Sequence, residues 1–231
     1  MRDGFVIPSN RLGKSRQIRP IRHPIRTEPN CILALLPEEN NFWLDRSGKN
    51  DHGVINGATW VSKGNQGPAL NFDGISNTVR CSVDGLNVPN GTICAWIRKN
   101  ADSAQYRGPW GKDSAGLNKD ISVSFEGVNQ VLHFLIDNGV GSTSIVSDNE
   151  LDNTWYFIAV VFGSGGIKMY VNGILQANTS GFSTNVDNAS PFILGARRSD
   201  GLYFNGMISM VLAFNTVLTG ARIRAIHENN K

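Results

Sequence analysis

Cysteine is scarce: only Cys31, Cys81 and Cys94 occur among 231 residues. An odd number at wide spacing is no disulfide framework, and no CxxC pair offers a metal. Cys81 and Cys94 each stand in an apolar run, where a buried free thiol is expected. Unpaired thiols fit synthesis in a reducing compartment. No apolar stretch reaches the roughly 20 residues needed to cross a membrane. The basic N-terminus is followed by no apolar core, so no secretory signal is expected. The N-x-S/T sequons at Asn90, Asn178 and Asn188 are then read as accidental. Histidine is sparse as well, and His23, His52, His133 and His227 are not at metal-ligand spacing. No G-x-S-x-G elbow, no activated cysteine and no glycine-rich phosphate loop appears. No catalytic residues, metal ligands or cofactor site can be named on these grounds.

Glycine and turn signals are what the chain has in quantity. Its 25 glycines separate short apolar runs, the pattern of an all-β fold. Runs at Cys31–Leu36, Ala69–Phe72, Thr78–Val83 and Thr92–Lys99 read as strands. Ile121–Glu126 alternates, placing Ile121, Val123 and Phe125 on one face and Ser122, Ser124 and Glu126 on the other. Asn138-Gly139 between Val131–Asp137 and Val140–Val146 signals a hairpin, as does Asn172-Gly173 between Ile167–Val171 and Ile174–Ala177. Trp155–Phe162 is apolar throughout and reads as a central strand buried on both faces. Only the C-terminal dozen residues look helical, with Leu218, Ile223 and Ile226 on one face after Thr219.

Charge divides the chain in two. Residues 1–30 hold seven Arg/Lys against Asp3 and Glu28, a net +5, which leaves −2 on the remainder of a +3 chain. The Ile-Arg-Pro repeat around Ile18–Arg26 favours extended backbone, because proline lacks a donor and disfavours helix before it. Residues 1–30 are therefore read as an extended basic arm and residues 31–231 as one folded body. Arg16, Arg19, Arg22 and Arg26 are candidates for pairing with carboxylates of a neighbouring protein subunit. Nucleic acid is a weaker partner for such an arm, since seven cations on a loose strand bind unspecifically and salt-sensitively.

The order of motifs in the body resembles laminin-G-like jelly-roll domains of the concanavalin A-like lectin/glucanase superfamily. The resemblance rests on Asp45-Arg46-Ser47-Gly48 with His52-Gly53, Ile55–Trp60, Ala69–Gly74 and Thr92–Arg98. It continues through Thr154–Val161, Lys168–Gly173, Phe192–Gly195 and Phe204–Ile208. It implies a two-sheet antiparallel jelly-roll sandwich with a short C-terminal helix. Relatives commonly carry an acidic residue two positions before the valine of the strand after Phe-x-Gly, where this chain has Ser209 before Met210-Val211. Serine replaces an anionic oxygen there, so a structural calcium is not carried over. Asp45, Asn50, Asp51 and Asp73 are other oxygen donors, read as turn formers. Glucanase relatives cut glycans with carboxylates on one strand. Only Asp148–Asp152 approaches that spacing, and it reads as a solvated acidic loop before Trp155.

Non-enzymatic function is therefore expected. Tyr106 and Trp110, in Tyr106-Arg107-Gly108-Pro109-Trp110, have the composition of a glycan site, as does Arg197–Tyr203. Laminin-G-like domains are widespread in phage virion proteins. A head-decoration or fibre-type virion component, oligomeric and anchored by its arm, accommodates the absence of an export signal. A carbohydrate-binding module and a polysaccharide-degrading enzyme are the alternatives.

Overall fold

A computed structural model describes residues 29–230 apart from 39, 63, 66, 83–85, 101–105, 114–118, 127–130, 151–152, 183 and 199–200. Arg16, Arg19, Arg22 and Arg26 lie outside the described residues. The strands in chain order are β1 (Cys31–Leu35), β2 (Phe42–Trp43), β3 (Gly53–Asn56), β4 (Thr59–Val61), β5 (Ala69–Asp73) and β6 (Thr78–Arg80). Then come β7 (Gly91–Lys99), β8 (Trp110–Lys112), β9 (Ile121–Glu126), β10 (Val131–Asp137), β11 (Ser142–Glu150) and β12 (Tyr156–Phe162). The last are β13 (Lys168–Val171), β14 (Ile174–Leu175), β15 (Ile193–Leu194), β16 (Ala196–Arg198), β17 (Gly201–Tyr203), β18 (Asn205–Phe214) and helix α1 (Gly220–Asn229). They form the expected antiparallel sandwich. The first sheet runs β14-β13-β12-β7-β18-β5-β4, with β1 beside the second half of β18. The second runs β11-β10-β9-β8-β15-β6-β3-β2, and β16–β17 stand apart as a two-stranded hairpin.

The first sheet is apolar on both faces. Ile93, Ala95, Ile97, Ile158 and Val160 face the space between the sheets. Cys94, Trp96, Phe157, Ala159 and Val161 face the opposite way, against Ile223 and Ile226 of α1. Thr219 caps that helix by accepting from the Arg222 N–H at 3.2 Å. His227 seats against Trp96 and Phe157 with ring centroids 5.5 and 5.6 Å away. The unbroken apolar run of β12 thus has its explanation in a helix on the outer face.

Ser209 sits where the register of β18 slips between Ile208 and Met210. Ile208, Val211 and Ala213 share the inner core despite their mismatched parity, as one extra residue in a bulge requires. The Ser209 hydroxyl is buried against the Pro68 carbonyl at 3.4 Å. This position supplies no anionic oxygen.

Asn172 (φ 50°) and Gly173 (φ 76°) both adopt the left-handed conformation, so β13–β14 is the expected type I′ hairpin. The other hairpin corrects its expectation. Asp137 pairs with Ser142, leaving a four-residue loop at 138–141, and of Asn138-Gly139 only Gly139 has positive φ. The Asn138 side chain instead accepts from the N–H groups of Val140 and Gly141 at 3.1 and 2.9 Å. That local turn removes Val140 from the strand and leaves it 87% exposed. No described helix is long and apolar enough to cross a membrane.

Candidate functional site

The two sheets differ on their outer faces. The first is closed by α1. Among the described residues the second carries no helix, and its outer face mixes polar side chains such as Ser122, Ser124, Glu126 and His133 with the exposed Phe42 and Val54. On β9, Ile121, Val123 and Phe125 enter the core, as expected, and Ser122, Ser124 and Glu126 point outward. Gly111 pairs with Ser122 on the neighbouring strand. These small residues make room for the β16–β17 hairpin. A Cβ at Gly111 would lie 1.9 Å from the Arg197 carbonyl oxygen, so only glycine permits this approach. Arg197 is then fixed by donating from Nε to Asp113 Oδ2 at 3.2 Å, both side chains being largely buried.

His133 on β10 faces the same way, with Nδ1 2.6 Å from Glu126 Oε2. Burial pushes its pKa below the ordinary 6.5, Glu126 opposes that shift, and the nearby Arg197 cation reinforces it. The unfolded chain therefore takes up this proton more readily than the folded one. The associated stability is present above about pH 6.5 and is lost as pH falls through the folded-state value. Denaturant unfolding between about pH 8 and about pH 5 should show a weaker acid-side loss of stability in His133→Gln than in the parent. Equal slopes in the two proteins would rule this out.

Two segments singled out in the sequence meet on this face. The Tyr106 N–H donates to Phe125 O and the Phe125 N–H to Arg107 O, each at 2.8 Å, so residues 106–107 run alongside the end of β9. The Gly108 N–H donates to Leu202 O at 3.4 Å and the Gly195 N–H to Pro109 O at 2.8 Å, which joins this segment to the hairpin. Tyr106 is 43% exposed and Tyr203 half-buried. Trp110 must be corrected as a glycan-contact residue. It is fully buried on the inner face, its ring centroid 5.9 Å from that of Phe192. Strand alternation turns the indole inward and Gly111 outward, so it cannot offer a stacking surface.

At the other end of the same face lies a groove of about 420 Å³, lined by Phe42, Asn50, Asp51, His52, Val54, Arg80, Cys81 and Ser82. Cross-strand register sets Phe42 opposite Val54 and Val54 opposite Arg80. The loop beside them is held by the buried Asp45 carboxylate. It accepts from the N–H groups of Ala34, Ser47 and Asp51 at 2.9, 2.8 and 3.1 Å. The Asp45 N–H in turn donates to His52 Nδ1 at 3.0 Å, which leaves the imidazole proton on Nε2. Asp73 accepts from the N–H groups of Ile75, Ser76 and Asn77, and Asp51 from that of Ser82. Asp45 and Asp73 are turn formers, as their sequence context indicated, whereas Asp51 bridges to a residue 31 positions on. No cluster of three or more His, Cys, Asp or Glu suited to a metal exists among the described residues.

The acidic run after Val146 also differs from its expectation. Asp148 belongs to β11, an edge strand, and its carboxylate accepts from the Ala177 N–H. It caps the segment after β14 rather than lying in a free loop. The sequence alone does not single out Asp113, Glu126, His133 or the Phe42–Val54–Arg80 row as site residues. The alternation around Val79 and Val123 marks Arg80 and Glu126 as outward. Nothing local marks which outward residues become neighbours.

A family model described as the concanavalin A-like lectin/glucanases superfamily matches residues 72–224. No curated protein matches the sequence. Among solved structures, domain 4 of a GH43 extracellular arabinanase from Geobacillus stearothermophilus, in complex with arabinotriose, is similar at TM-score 0.70 and 16% identity. The match covers 87% of this chain and 98% of that one. The binding domain of Paraclostridial Mosquitocidal Protein 1 is similar at TM-score 0.70 and 16% identity, over 86% of this chain and 52% of that one. A Trypanosoma rangeli sialidase matches at TM-score 0.64 and 17% identity, over 84% of this chain and only 32% of that one. At such identities the likeness concerns the fold.

Proposed function

The chain belongs to the concanavalin A-like lectin/glucanase superfamily, and from that premise we propose that it is a non-enzymatic contact module that holds glycans on the outer face of its second sheet. The observation that carries this is the asymmetry of the sandwich. One outer face is closed by an apolar helix, while the other, uncovered by any described helix, presents Glu126 and His133 and is flanked by Tyr106 and Tyr203. Tyrosine rings can stack on sugar C–H faces, and Glu126, His133 and the loop amides can meet hydroxyls. The arabinanase domain in complex with arabinotriose is a precedent for a glycan on this fold.

Catalysis has less support. Hydrolysis by the usual pair needs two carboxylates free to act as acid and base or nucleophile. On this face Asp113 is engaged by Arg197 and Glu126 by His133. The Glu126–His133 contact is the feature that favours an enzymatic reading, and reducing-end release from a bound polysaccharide would establish it.

The basic arm completes the proposal. Arg16, Arg19, Arg22 and Arg26 anchor the sandwich to protein subunits of a phage particle, as a decoration or fibre-type component. The charge division between arm and body supports this, together with three thiols that are buried and unpaired. Two experiments test the parts separately. On a glycan array the intact chain should retain a subset of glycans, and Tyr106→Ala should lose about tenfold or more in affinity, the worth of one stacking contact. In particles, replacing the four arginines by alanine should abolish incorporation and leave array binding intact. An array with no bound glycan overturns the glycan part, and undiminished incorporation overturns the anchoring part.

A further inference from the structure

We infer that the groove at Phe42, Val54 and Arg80 is a second saccharide site, selective for a sugar unit that carries a carboxylate. It goes beyond the site around Tyr106 and stands on separate residues. Arg80 on β6 and His133 on β10 are four strand spacings apart along the second sheet, about 19 Å. The Arg197 hairpin lies over β8 and β9 between them.

The chemistry follows from three adjacent strands. Phe42, Val54 and Arg80 form one outward row, and all three are exposed, Phe42 by 48% and Val54 by 51%. Side chains paired in this way stand about 5 Å apart, so the row gives an apolar shelf two residues wide ending in a guanidinium. A pyranose presents an apolar C–H face of matching size. Among the described residues no carboxylate lies within ion-pairing distance of Arg80, unlike Arg46 and Arg197, which pair with Glu38 and Asp113. A planar guanidinium fork matches a carboxylate in geometry as well as charge.

The rest of the groove suits hydroxyls. His52 receives the Asp45 N–H on Nδ1, so its Nε2–H is the donor available to a ligand. Asp51 has one oxygen occupied by the Ser82 N–H at 2.6 Å and a second that can accept from a sugar hydroxyl. Asp51 also sets the limit on anionic ligands: one carboxylate beside Arg80 is compensated, whereas densely charged chains would meet its repulsion. The framework is set before binding, because the Asp45 carboxylate organises the loop carrying Asn50, Asp51 and His52.

The test uses the intact chain and titration calorimetry with three probes: 3′-sialyllactose, a disaccharide ending in glucuronic acid, and lactose. At least one of the two carboxylated probes should bind, with lactose at least tenfold weaker. The preferred probe distinguishes sialic from uronic acid. Arg80→Gln should reduce binding of that probe at least tenfold, Arg80→Lys should restore it in part, and Phe42→Ala should weaken it. Tyr106→Ala should leave it unchanged. Both groove residues are exposed, so the variants should keep the parent Tm, and a matched Tm confirms that folding is not the cause. Failure of both carboxylated probes, equal binding of lactose, or undiminished binding by Arg80→Gln overturns the assignment. Tyr106-dependent retention on the glycan array would survive that outcome, so the two sites stand or fall separately.

Discussion

Trp110→Ala should lower the unfolding free energy by about 3–5 kcal/mol, the usual loss when a large aromatic is removed from a packed core. Trp110 is fully buried beside Phe192, opposite Val123 on β9 and Leu194 on β15. Its indole Nε1 has no hydrogen-bond partner among the described residues, so the loss comes from packing and the cavity left behind. Trp110→Phe should cost less, because it keeps a ring and removes an unpartnered donor. Tyr106→Ala should change stability by no more than about 0.5 kcal/mol, as an exposed substitution does. Denaturant unfolding of the three variants checks the set. A Trp110→Ala loss below about 1 kcal/mol would show that the indole is not in the core. The contrast also separates two aromatic residues four positions apart, one supporting the fold and the other available to a ligand.

Lys112→Ala should destabilise the chain by about 3–5 kcal/mol, from two charge-assisted hydrogen bonds and the packing of the aliphatic stem. Lys112 is fully buried, on the inner side of β8, between the outward Gly111 and Asp113. Its ammonium donates to Asn188 O at 3.0 Å and to Ser190 O. The Asn188 amide donates onward to Lys112 O, Lys119 O and Asp120 Oδ1 at 3.2, 3.2 and 2.8 Å. The buried Asp137 carboxylate accepts from the N–H groups of Lys119 and Asp120 at 2.6 and 3.1 Å. Lys112 and Asn188 together thus join the segment before β15 to the end of β8 and the start of β9, a junction of buried and half-buried polar groups. Lys112→Met keeps most of the stem and removes the donor, so it isolates the ammonium and should fall between the parent and Lys112→Ala. Unfolding midpoints in urea, with unchanged m-values, would carry the comparison. A Lys112→Ala variant as stable as the parent would mean that the two carbonyls find other donors.

Both residues lie in β8, the strand that the sequence reveals least. Period-two alternation was readable where strands are long. Ile121–Glu126 could be assigned faces because six consecutive positions vote on the phase, and Trp155–Phe162 could be placed centrally because it is apolar throughout. Trp110-Gly111-Lys112 offers three positions with an aromatic and a cation in phase, and a lysine there reads as solvent-facing. The carbonyls of Asn188 and Ser190, more than 70 residues away, help to make its burial tolerable. Asn138-Gly139 shows the same limit for turns. The dipeptide permits a type I′ turn, but the side chain of Asn138 captured Val140 and Gly141 first.

The candidate sites were legible in pieces. Tyr106 and the Arg197–Tyr203 segment were visible by composition. Their adjacency depends on hydrogen bonds from Gly108 to Leu202 and Gly195 to Pro109, between segments nearly ninety residues apart. The row of Phe42, Val54 and Arg80 could not be found locally at all, since each residue comes from a different strand.

Strand identity, the inward and outward halves of the longer strands, the Asn172-Gly173 turn and the capped C-terminal helix follow from local pattern, because backbone sterics and side-chain periodicity act over a few residues. Lateral strand order, the helix on one outer face, the hairpin on the other and the inward turn of Trp110 and Lys112 come from long-range pairing. They depend on which distant surfaces bury each other, and no window of a few residues contains both partners. The scarcity of cysteine belongs to both levels: with no disulfide to hold the layers, Cys31, Cys81 and Cys94 are themselves buried as free thiols in the cores that do.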